Sequence, residues 1–111
     1  MDATATALSG MQAASLQLDV AANNVANAST PGFRPDQGAL TSAPGGGVAA
    51  QVVPGPKPVL LAGVPAEAQP SGTDLISELE TMIAAPIAYA ANARIVSTSE
   101  QMNGYLFDRR G

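Results

Sequence analysis

Ala7 to Phe33 reads ALSGMQAASLQLDVAANNVANASTPGF, and its reading decides the fold. Leu8, Met11, Ser15, Leu18, Ala22 and Val25 follow one another at spacings of three and four. That spacing makes a seam along one side of a helix, suited to packing lengthwise against another helix. Asn23, Asn24 and Asn27 then cluster just ahead of Ser29-Thr30-Pro31-Gly32. Asparagine tolerates the left-handed backbone that closes helices, and Pro-Gly cannot continue one. The stretch therefore predicts a helix over 3–28, capped by Asp2, Thr4 or Thr6 and about 39 Å long if all of it is helical. Ala13, Leu16 and Val20 lie off the seam and predict a second packing face.

The partner lies at the other end of the chain. Residues 73–107 predict a second helix, with Ser71 or Thr73 as its cap. Asp74, Glu78 and Glu80 place negative charge in its first turns, where the helix dipole favours it. Leu79, Met82, Pro86, Tyr89, Ala93 and Val96 continue a three-four seam, with Tyr89 read as core packing between the helices. Ile76, Ile83, Ile87 and Ala90 widen the apolar surface to more than one face, which implies burial on several sides. Pro86 removes one helical hydrogen bond and crowds the carbonyl of Met82. One kinked helix is expected rather than two, because the apolar pattern keeps its phase across the proline.

Residues 34–72 are different material, dense in glycine and proline from Pro35 to Gly72. No helix is expected there. Val48–Val53 and Val59–Val64 are candidate strands, with Pro54-Gly55-Pro56 as the turn between them. The prolines limit such strands to edges, and a disordered segment is the competing reading.

Composition narrows the function. A net charge of −4, with only five basic residues, leaves no stripe for following phosphates. The chain has no cysteine and no histidine, so thiolate chemistry, disulfides and imidazole catalysis are excluded. Gly45-Gly46-Gly47 lacks the lysine of a phosphate-binding loop. No catalytic, cofactor or metal site is expected. The N-terminal region does not read as a cleavable secretory leader, because no basic residue precedes Arg34. The apolar run Met82–Ala91 is too short for a bilayer span, which needs roughly 20 residues. Aromatic residues make up 4% of the chain, so the core is expected to be thin and the free monomer marginally stable.

Two motifs carry a resemblance. Ser9-Gly10-Met11, Leu18-Asp19-Val20, Ala22-Asn23-Asn24-Val25-Ala26-Asn27 and Thr30-Pro31-Gly32-Phe33 resemble the N-terminal signature of the bacterial flagellar rod and hook axial proteins. Asp74-Leu75, Met82-Ile83, Ala85, Ala88-Tyr89, Ala91-Asn92-Ala93-Arg94, Thr98 and Met102 resemble that family's C-terminal helix. Pro86-Ile87 stands where the family usually carries Gln-Arg. The short insertion is closest to that of the small proximal rod proteins. The resemblance implies a subunit of the basal-body rod that crosses the periplasm, assembling helically with copies of itself and other rod subunits. It also implies export through the flagellar type III apparatus. A soluble helical-hairpin adaptor of flagellar export or assembly is the alternative.

The expected fold is mainly α: two long terminal helices packed as an antiparallel, coiled-coil-like hairpin around a short extended or β-hairpin insertion. The expected units are 1–33, 34–72 and 73–111, the first and last forming one helical domain. Leu8, Met11, Leu18 and Val25 are expected to meet Leu79, Met82, Tyr89 and Val96 along the seam. Leu16, Val20, Asn23, Asn24, Ile83, Ile87 and Asn92 are expected at contacts between subunits. For Asn23 and Asn24 closure of the helix is the competing role, and for Asn92 polar contact between the two helices.

Overall fold

A computed structural model describes residues 2–109. Helix α1 spans Ala3–Ala26 and helix α2 spans Leu75–Asp108. Between them lie strands β1, Asp36–Ser42, and β2, Val48–Pro54, and a short 3-10 turn at Ala66–Ala68. The two strands pair antiparallel, Asp36 opposite Pro54 and Ser42 opposite Val48. The class is therefore mixed, which corrects the mainly α expectation: a two-stranded sheet packs on α1 beside the helical pair.

The hairpin also differs in its parts. Val48–Val53 is strand, but its partner precedes it in the chain, and Val59–Val64 is not a strand. The reversal is made by Gly45, Gly46 and Gly47, with φ of 87°, 103° and 80°. Three consecutive residues in that region are open to glycine and almost nothing else. Pro54-Gly55-Pro56 instead closes the base of the hairpin, where the Gly55 N–H donates to the Pro35 carbonyl at 2.9 Å. Leu61 is withheld from any sheet because Gln69 takes both its backbone groups. The Leu61 N–H donates to Gln69 Oε1 at 2.8 Å, and Gln69 Nε2 donates to the Leu61 carbonyl at 3.0 Å.

The helix ends follow local chemistry. Asp2 caps α1, its carboxylate accepting from the Ala5 N–H at 2.7 Å. Asn27 closes α1: its N–H reaches back to the carbonyls of Asn23 and Asn24, and its Nδ2 to that of Asn23. Its φ is −103°, so the left-handed residue expected in this region is Gly32, at 67°, and not an asparagine. Asp74 caps α2 in place of Ser71 or Thr73. α2 runs through Pro86 as one helix.

The helices approach along small side chains. All five buried apolar residues among those described are alanines: Ala7, Ala13, Ala14, Ala21 and Ala85. The expected seam is displaced by one residue, from Leu8, Ser15 and Ala22 to Ala7, Ala14 and Ala21. Methyl groups let the backbones come close, and the larger side chains then stand at the rim. Met11, Leu18, Val25, Met82 and Val96 are half-buried, while Leu8, Leu79 and Tyr89 remain exposed. Ala13, on the other side of α1, lies on the face that carries the hairpin.

A core of this kind leaves a great deal of surface. The radius of gyration is 19.5 Å, against about 13 Å for a compact domain of this length. The accessible surface is 7495 Å², against roughly 5,700 Å² for a compact monomer of this mass. The excess is comparable to the area a specific protein–protein interface buries, about 1,600 Å².

Candidate assembly surfaces

Asn24 joins both helices and the first strand. It is 0% exposed and is the largest fully buried side chain among the described residues. Its Nδ2 donates to the Asp36 carbonyl at 2.8 Å and to Glu78 Oε1 at 2.9 Å. Its Oδ1 accepts from the Asp36 N–H at 3.0 Å. Its own carbonyl accepts from Thr73 Oγ1 at 3.0 Å. One residue therefore ties the end of α1 to the start of β1 and to the start of α2. The side-chain amide pairs with both backbone groups of Asp36, as a neighbouring strand would.

Ser9 anchors the other end of the hairpin, its hydroxyl accepting from the Val48 N–H at 3.1 Å. From Ser9 to Asn24 along a helix is about 22 Å. A seven-residue strand has a similar length, about 20 Å between its first and last residues. The hairpin thus lies along α1 with its base at Asn24 and its tip near Ser9. Gly38 fits against this face: a β-carbon there would stand 3.2 Å from side-chain atoms of Leu16 and Gln17.

The expected inter-subunit residues fall into two groups. Asn24 is corrected outright, since it is enclosed within its own chain and offers nothing to a neighbour. Leu16 and Val20 are half-buried on the side of α1 that the hairpin flanks, and with Val52 they line a shallow groove. Asn92 is half-buried over Gly10, at the contact of the two helices, and its Nδ2 donates to the Ala88 carbonyl at 2.9 Å. Asn23 is exposed. Ile83 and Ile87 are 68% and 66% exposed, and with Ile76 they form an uncovered apolar stripe on α2.

The last two turns of α2 carry a further apolar surface. The antiparallel helices are in register where Gly10 meets Asn92 and Asn24 meets Glu78. Fourteen residues separate these points on each helix, from 10 to 24 and from 78 to 92. Continuing that register sets Ala3 near Ser99, so residues 101–108 extend past the N-terminal end of α1 by about 12 Å. Every residue of this extension is exposed, and Tyr105 and Phe107 are 76% and 75% exposed. Met102 and Leu106 complete an apolar tip. A further apolar run, Val59-Leu60-Leu61, is displayed on the loop that Gln69 ties together.

Among the described residues there is no group of three or more potential metal ligands, and no helix is long and apolar enough to cross a membrane.

Comparison with known families locates both helices. Residues 5–34 match the family model described as flagella basal body rod protein. Residues 70–108 match the model described as flagellar basal body rod FlgEFG protein C-terminal. Together the matches cover α1 from its third residue with its closing turn, and all of α2, which is more than half of the chain. A search of curated proteins returns no match.

Proposed function

The chain belongs to the flagellar basal-body rod family, and from that membership we propose a specific role: a subunit of the proximal rod. As a rod component it is a structural protein of the flagellar basal body that assembles with other rod subunits. In the proposed role, copies pack helically into a hollow shaft that transmits torque and crosses the periplasm. The subunits reach the shaft through the flagellar type III export apparatus. The short insertion supports a proximal position, since β1, β2 and the Gln69-tied loop lie between the helices without a further globular domain.

The observation that carries this reading is the uncovered apolar surface of α2. The Ile76, Ile83 and Ile87 stripe and the Met102–Phe107 tip are continuous with a helix that is already half-committed to α1. An extended monomer with an alanine core gains stability by burying such a surface against neighbours. Ile83 and Ile87 are the side chains assigned to those contacts.

Electron microscopy of basal bodies from a strain lacking the chain tests the role. Short or missing rods and loss of motility are expected. Normal rods and normal swimming would contradict a rod role and favour a soluble adaptor of export or assembly.

A further inference from the structure

We propose that Asn24 fixes the axial register of α1 against α2, and thereby how far α2 extends beyond α1. The apolar seam does not fix it. Ala7, Ala14 and Ala21 are seven residues apart, so a slip of one heptad lays alanine where alanine was. Such a slip moves one helix by about 10.5 Å while leaving the small-residue packing of α1 nearly unchanged.

Asn24 breaks that degeneracy, together with Asn92, which sits over Gly10, and the Gly72 N–H, which donates to the Phe33 carbonyl at 2.9 Å; of these, Asn24 is the one that bonds both α2 and the hairpin. α1 and the hairpin move as one body, held by Ser9 to Val48 and by Asn24 to Asp36. The polar bonds that join α2 to this body at Asn24 come from Glu78 and Thr73. A slip of one heptad in one direction would set Asn24 opposite Ala85, which is buried and offers its side chain no acceptor. In the other direction it would set Asn24 beyond the start of α2. A buried polar group that finds its partners in only one alignment is the known means by which paired helices select a register. The same slip would shorten or lengthen the Met102–Phe107 tip by about two helical turns. The importance of that tip rests on the proposed rod role, whereas the register itself does not.

Disulfide trapping in the full chain tests the proposal, helped by the absence of native cysteine. The pair Gly10→Cys with Asn92→Cys reports the native register. The pairs Gly10→Cys with Ala85→Cys and Gly10→Cys with Ser99→Cys, each carrying Asn92→Ala so that the new side chain at position 10 meets no clash, report slips of one heptad. With Asn24 intact, only the first pair should close in dilute monomer. Asn24→Leu, or Glu78→Ala, should raise closure of a slipped pair on the order of tenfold, as expected for losing a part-buried side-chain hydrogen bond. Helix content should be retained, and Glu78→Gln, which keeps an acceptor, should restore the native pattern. Should Asn24→Leu unfold the chain, Glu78→Ala decides, since Asn24 keeps its bonds to Asp36. A lower melting temperature with only the native pair closing would make Asn24 a stabiliser alone and overturn the proposal. Failure of the native pair to close with Asn24 intact would overturn it too.

Discussion

A β-carbon on Gly10 would stand 2.7 Å from Nδ2 of Asn92 and 2.9 Å from its Cγ, so the Asn92 side chain occupies the space that glycine leaves open. The first prediction is a coupling between these two positions. Gly10→Ala gains helix propensity of up to about 1 kcal/mol but must displace Asn92. In an Asn92→Ala background the displacement disappears and the gain should be realised. Urea denaturation of the two single variants and the double variant should give a coupling energy of about 1–2 kcal/mol. Strict additivity would mean that the helices do not touch here.

Pro86 makes the second prediction. α2 is continuous across it, so the proline carries its ordinary penalty inside a helix. Pro86→Ala should stabilise the free chain by about 2–3 kcal/mol, read as a higher urea midpoint with an unchanged slope. An unchanged midpoint would mean that neighbouring groups already compensate the missing hydrogen bond.

Gly55 makes the third. A β-carbon there would lie 2.6 Å from the Pro35 carbonyl oxygen, and Arg34 Nε donates to the Gly55 carbonyl at 2.6 Å. Gly55→Ala must therefore push backbone from backbone at the base of the hairpin. It should destabilise by about 1–3 kcal/mol and speed amide exchange in β1 and β2 more than in α2. Uniform acceleration throughout the chain would show that the hairpin does not open separately.

The fourth concerns the tip of α2. Tyr105 and Phe107 touch little within the chain, so replacing both with serine should shift monomer stability by no more than about 0.5 kcal/mol. The same change should prevent complementation of motility in a strain lacking the chain. Full complementation would remove the tip from the assembly surface.

Much of this was legible in the sequence, for identifiable reasons. The three-four spacing from Leu8 to Val25 placed α1 to within two residues at its C-terminal end, and the Asn-rich turn supplied the stop. The seam was read one residue late because large apolar side chains were given the centre. Alanine at 7, 14 and 21 was the available signal, and it marks close approach rather than bulk. The hairpin was misassigned because Pro54-Gly55-Pro56 looked like a turn, whereas Gly45-Gly46-Gly47 supplies the conformations a tight reversal needs. Asp36–Ser42, reading DQGALTS, has little strand propensity of its own. Asn24 holds it on α1 at Asp36, and Ser9 holds its partner strand at Val48. The hydrogen bonds of Asn24 to Asp36, Glu78 and Thr73 span distant parts of the chain, so no local pattern announced them.

The central claim is that the uncovered face of α2 is covered by neighbouring rod subunits. Single-cysteine variants Ile87→Cys and Phe107→Cys test it directly, because no other thiol competes. Both should react rapidly with a maleimide in the free chain and be strongly protected in purified intact basal bodies. Equal reactivity in the two states, or absence of the chain from the basal bodies, would contradict the account.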